Sequence, residues 1–361
     1  MSLKVHKNIA SLVPYSPGKP LDELERELGI SNAVKLASNE NSLGPSPKAQ
    51  AELAKHIGQL NVYPDGGAHY LRRALAERWK VDPAQIVVGN GSDEVISLLV
   101  KAFVAPGEEA VMADDTFVMY KLAVQGGHGV PVKVPLKDWR HDLPSMAGAI
   151  TDQTRLVFVC NPNNPTGTMV SQAEVDVFMK AVPDHVIVVF DEAYYEYVRS
   201  TEYPESLQYV KQNRPVVVLR TFSKIYGLAG LRVGYGISTL EIMDYVNRVR
   251  PPFNSNSLAQ AAALAALDDE EHVAKSRAMN MTEMGVLEKE LNYLGLSPIP
   301  SQANFIYFDT NRDGRQVFEA LLRKGVIVRH IKGSMIRVTV GQAFENQRFL
   351  EALQDVLTHS G

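Results

Sequence analysis

The chain reads as an α/β protein: a large domain built on a mostly parallel sheet, followed by a smaller domain. Two observations predict this. Short apolar runs, rich in valine and isoleucine, recur at Ile86–Gly89, Val111–Met112, Leu156–Cys160, Val186–Phe190 and Val216–Leu219, with helices predicted between them at Ser92–Val104 and Gln172–Ala181. Length is the second: 361 residues exceed one small core and suit two units.

Composition narrows the function classes. Hydrophobic residues make up 45% and charged residues 22%, as in ordinary globular proteins. A net charge of -4 argues against a nucleic-acid or polybasic membrane binder, so an anionic ligand would have to be caught by locally placed arginines. The single cysteine, Cys160, excludes an internal disulfide and fits a reducing compartment. No apolar segment at the start resembles a secretory signal and no run is long enough to span a bilayer, which makes the cytoplasm the expected setting.

In chain order, Leu21, Leu24 and Leu28 form a helical stripe that ends at Gly29, after a loop that follows Tyr15. Asn39 and Asn41 sit in a polar turn, and Tyr63-Pro64-Asp65-Gly66 is another turn between helical stretches. Asn90-Gly91-Ser92-Asp93-Glu94 opens a helix, with Ser92 the expected N-cap. A glycine turn into a helix N-terminus also suits an anion, because its N–H groups are free and the dipole is positive there. An aromatic, Phe117, follows the next strand. Asn161 to Gly167, which includes Asn164, is a rigid turn after the third strand, and Asp191 and Tyr194 follow the fourth, at the strand ends where α/β sheets place ligands.

The densest signal is Thr221 to Gly236. Thr221 and Ser223 flank Lys224 after the fifth strand, and Arg232 stands eight positions on. A lysine amine can condense with a carbonyl, while hydroxyls and a guanidinium hold an anion, which suits a cofactor bearing both a carbonyl and a phosphate. Beyond Arg250-Pro251-Pro252, helices are predicted at Ser257–Leu267 and from about Glu270 to Leu294. Strands are then predicted at Phe305–Phe308, Val326–Val328 and Ile336–Val340, with helices near Gln316–Lys324 and Phe344–Leu357. Arg329 and Arg337 lie after and inside these runs. An arginine in an apolar strand needs a buried carboxylate or an anionic ligand. No spacing of histidines, cysteines or carboxylates suggests a metal site.

Taken together, Asn164-Pro165-Thr166-Gly167, Asp191 to Tyr194, Ser223-Lys224 and Arg232 resemble the motif series of the pyridoxal 5′-phosphate-dependent aminotransferases of the aspartate-aminotransferase fold. The resemblance covers nearly the whole chain and is strongest to the branch acting on histidinol phosphate. It implies a seven-stranded sheet, an arm over residues 1–30 packing with the small domain, a large domain over 31–265 and a small domain over 266–361. It implies that Lys224 holds the cofactor, Asp191 pairs with its ring nitrogen, Asn164 and Tyr194 bond its 3′-oxygen and Phe117 stacks on its ring. Ser92, Ser223 and Arg232 would clamp the phosphate, joined by Tyr63 from the other subunit of a homodimer, and Gly91, Asp93 and Thr221 would also contact the cofactor. Tyr15, Asn39, Asn164, Arg329 and Arg337 would face the substrates, histidinol phosphate and 2-oxoglutarate. Other activities on this scaffold are aromatic amino-acid transamination, phospho-amino-acid decarboxylation and ligand sensing.

Overall fold

The computed structural model describes residues 3–14 and 18–359; Tyr15 lies outside the described residues. The chain forms α1 (Lys7–Ala10), α2 (Leu21–Leu28) and a two-residue strand, β1 (Val34–Lys35), before entering the large domain. There α3 (Pro47–His56) and α4 (His69–Trp79) precede seven strands: β2 (Ile86–Gly89), β3 (Glu109–Ala113), β4 (Val130–Val134), β5 (Thr154–Cys160), β6 (Ile187–Asp191), β7 (Val216–Thr221) and β8 (Gly234–Ile237). Their order across the sheet is β2-β8-β7-β6-β5-β3-β4, and β8 alone runs opposite to the other six. β6 and β7 are buried along their whole length, since helices cover both faces of the sheet. One apolar cluster contains Val188, Val216 and Val218, and the cluster on the opposite face contains Val189, Val217 and Leu219, the alternation a strand imposes.

Two large-domain helices frame the site from one side: α5 (Ser92–Phe103) and α6 (Met119–Gly126). The helix Glu270–Tyr293 leads into the small domain, a four-stranded antiparallel sheet of β9 (Ser297–Ile299), β10 (Phe305–Asp309), β12 (Arg329–Lys332) and β13 (Met335–Thr339), with β11 (Val326–Ile327) beside it. β1 pairs in parallel with β11, and Val34 and Leu36 join the small-domain core. The first 36 residues therefore touch both domains. Leu24 of α2 packs on Ile327, whereas α1 lies on α6, where Gln125 Nε2 donates to Asn8 O at 3.0 Å and Ser11 Oγ at 2.9 Å.

Candidate active site

Asp191 is the last residue of β6, level with Cys160 on β5 and Leu219 on β7, at the carboxyl edge of the sheet. It is 3% exposed, and its Oδ1 accepts from Ala193 N at 3.2 Å. The other oxygen accepts from a residue the motifs did not single out: Tyr120 OH donates to Oδ2 at 2.7 Å. Burial raises the Asp191 pKa to about 6. The Tyr120 and Ala193 hydrogen bonds hold it down, Asp93 adds to the rise and Lys224 opposes it.

Lys224 follows β7 on the turn begun by Thr221. Thr221 Oγ1 donates to Ser223 Oγ at 3.0 Å and accepts from Ser223 N at 3.1 Å, so the two hydroxyls close the turn before the lysine. Asn41 Nδ2 donates to Ile225 O at 2.7 Å, holding the residue after it. Asn41 is thus a support for the lysine loop and is absent from the cavity wall. Lys224 Nζ donates to Ser38 O at 3.2 Å. Loss of water lowers its pKa to about 8, helped by Arg337 and Arg232 and opposed by Glu40 and Asp191.

At the opposite end, Gly91 rather than Ser92 caps α5. Its φ of +80° is glycine's region, and Ser92 is the first helical residue, so the N-terminus has no side-chain cap and keeps its N–H groups open. Arg232, itself at φ +54°, presses against this turn: a Cβ on Gly91 would stand 2.6 Å from Arg232 Nη2. Gly234 of β8 is as crowded, with its hypothetical Cβ 2.3 Å from Ser92 N. Asp93 Oδ1 is buried without a partner, and burial raises the Asp93 pKa while Arg232 lowers it.

These groups surround one cavity of about 180 Å³. Its wall contains Asn39, Gly91, Ser92, Asp93, Phe117, Asn164, Asp191, Tyr194, Thr221, Ser223, Lys224, Arg232 and Arg337, together with Ser38, Cys160 and Ala193, which sequence reasoning passed over. Asn39 Nδ2 donates to Tyr194 OH at 2.9 Å, and burial pushes the Tyr194 phenol up. The cavity shares Phe117, Asn164 and Arg337 with a wider space of about 420 Å³, whose wall includes Leu12, Pro14, Lys121 and Arg329. Arg329 and Arg337 are direct cross-strand partners on β12 and β13, so both project from the same face. The short loop between them is what sets them level. Arg337 Nη1 donates to Asn164 Oδ1 and Nη2 to Ala37 O, each at 2.6 Å. Tyr63 is absent from both cavity walls and 79% exposed on the surface.

The family described as aminotransferase class I and II matches residues 31–353. The histidinol-phosphate aminotransferase of Moorella thermoacetica is 52% identical over 359 residues, 98% of this chain and 93% of that protein. Histidinol-phosphate aminotransferase 2 of Pseudomonas aeruginosa is 50% identical over 359 residues, 97% of each chain. Among solved structures, the histidinol-phosphate aminotransferase of Sinorhizobium meliloti, in complex with pyridoxal 5′-phosphate, has a TM-score of 0.92 at 28% identity, covering 100% of this chain and 99% of that one. An aspartate aminotransferase double mutant from Thermus thermophilus, 23% identical, shares the fold with a TM-score of 0.85, over 99% of this chain and 100% of its own. The chain belongs to the class I and II aminotransferases, within their histidinol-phosphate aminotransferase family.

Proposed function

We propose that this enzyme moves the amino group of L-histidinol phosphate to 2-oxoglutarate, giving imidazole-acetol phosphate and glutamate in histidine biosynthesis, with pyridoxal phosphate as cofactor. The observation that carries the reading is one cavity faced by both Lys224 and Asp191, which opens past Arg337 toward Arg329.

The residues present fit this cofactor. Gly91 leaves space beside Arg232 that any side chain would fill, and the N-terminus of α5 is open to an anion. Ser92, Ser223 and Arg232 would take the phosphate, and Gly91, Asp93 and Thr221 would line the cofactor beside it. Asp191 would face the ring nitrogen, Asn164 and Tyr194 the 3′-oxygen, and Phe117 the ring face. When bound, the cofactor supplies an electron sink for charge left on the substrate carbon. Lys224 does the proton work. With a pKa near 8, its amine is easily neutral, so it can attack a carbonyl and then take a proton from the substrate carbon and return it nearby. Asp191 keeps its negative charge through the Tyr120 and Ala193 donors. Arg329 and Arg337 can grip either a phosphate or a carboxylate, as two alternating substrates require. Asn39 completes the substrate wall in this reading, and Tyr15 would also meet the substrate.

The working unit we infer is a homodimer, and its setting the cytoplasm, on the single cysteine and soluble substrates. Ile57, Leu60, Val62, Tyr63, Tyr70 and Phe253 are exposed large hydrophobics on neighbouring stretches, which favours a second copy as their cover and the partner's Tyr63 as a phosphate ligand. Among the described residues no helix is long and apolar enough to cross a membrane. Glutamate formation from histidinol phosphate should require 2-oxoglutarate. Carbon dioxide release from a phospho-amino acid, with no need of a keto acid, would replace this reading with decarboxylation.

A further inference from the structure

Phe253 is left unused by the chemistry above. It is a bulky residue held at φ +57°, a region such residues avoid, and strain of this kind persists only where the surroundings impose it. Its ring lies nearly parallel to that of Tyr63, with centroids 4.7 Å and planes 22° apart. Both residues are exposed, Phe253 at 46% and Tyr63 at 79%, so the pair sits at the surface instead of filling a core.

The segment behind Phe253 is anchored on two sides. Arg250 Nη1 donates to Gly66 O in the Tyr63 turn and to Asn254 Oδ1, each at 2.8 Å. Asn254 Nδ2 donates to Val88 O at 3.1 Å and Glu94 Oε2 at 2.6 Å, and that same Glu94 oxygen accepts from Asn90 N at 2.6 Å. Val88, Asn90 and Glu94 bracket Gly91 and Ser92. One short stretch therefore braces the anion-binding turn of its own cavity and the turn that carries Tyr63.

We propose that Arg250–Asn254 positions phosphate contacts in both sites of the dimer: in its own site through Asn254, and in the partner's site through Phe253, which aims Tyr63. This rests on the reading that Tyr63 crosses to the partner.

The test uses hybrid dimers isolated with two affinity tags. One chain keeps Lys224 and the other carries Lys224→Ala, so only the first gives the absorbance band of lysine-bound cofactor. That active site draws its Tyr63 from the silent chain. Phe253→Ala in the silent chain is expected to weaken pyridoxal phosphate binding at the active site about 3- to 10-fold, the worth of an aromatic pair. Phe253→Tyr, which keeps the stacked ring, restores it. Phe253→Ala in the active chain leaves that site's affinity unchanged, a cis–trans difference that simple structural damage would not produce. If Tyr63→Phe in the silent chain weakens binding but Phe253→Ala there does not, the positioning role is overturned. If neither has any effect, the crossing of Tyr63 falls as well.

Discussion

The Tyr120 hydroxyl bonds Asp191, and its ring lies flat on Phe158 with centroids 4.6 Å apart and edge-on to Phe117 at 5.5 Å, so one side chain steadies two site residues. Tyr120→Phe keeps this packing and removes a donor to the charged carboxylate, which raises the Asp191 pKa. In the role we propose, Asp191 acts only when ionised, so wild-type cofactor affinity should fall as pH drops through about 6. In the variant, that fall should begin about one pH unit or more higher, because such bonds contribute about 1.5–3 kcal/mol. Fluorescence titration of the cofactor against pH checks it. Lys224 predicts the other limb. Its amine is neutral above about 8, so the rate at which cofactor-free protein captures pyridoxal phosphate should rise through that pH and level off, as stopped-flow absorbance would record. Lys224, Arg232 and Asp191 were legible because each is punctuated locally by a strand end and a turn. Tyr120 was not, since a tyrosine on a helix's buried face becomes a donor only when the chain brings it to a carboxylate 71 residues later.

Among the elements, the β12–β13 hairpin sets substrate recognition in the function we propose. Arg329→Ala should raise KM for histidinol phosphate by about 10- to 100-fold, the worth of a charge-assisted bond, and weaken phenylalanine less, because Arg337 remains to hold its single carboxylate. Steady-state kinetics on the two amines would separate a phosphate contact from a general structural one. In β8, Gly234→Ala would drive a methyl group into the backbone of Ser92. The expected cost is about 1–3 kcal/mol of stability, readable as a lowered melting temperature of the cofactor-free protein, with weaker cofactor binding besides. Helices at Gln172–Ala181 and Ser257–Leu267 match their sequence expectation residue for residue, and Ser171 and Asn256 cap their first turns. β4 escaped notice: it is an edge strand, half exposed and interrupted by Pro131, so its apolar signal is diluted. The N-cap of α5 was misread as Ser92 because capping statistics favour serine, whereas the site needs the bare backbone of Gly91.

On the scale of the whole molecule, the sheet and its carboxyl-edge site followed from the order of strand and helix patterns. The way the first 36 residues divide between the two domains did not, because β1 is two residues long and its partner β11 lies almost 300 residues away. The dimer we propose predicts that Leu60→Asp with Val62→Asp yields monomers by sedimentation, with pyridoxal phosphate held at least tenfold more weakly once Tyr63 no longer reaches a neighbour. The most direct measurement of the central claim is a single-turnover half-reaction. Holoenzyme is mixed with histidinol phosphate, or separately with phenylalanine, without any keto acid, and the lysine-bound cofactor band is followed. Rapid loss of the band with the phosphate ester and slow loss with phenylalanine is the predicted result. The reverse order would contradict the account, assigning the enzyme to aromatic amino acids and removing Arg329 from phosphate recognition.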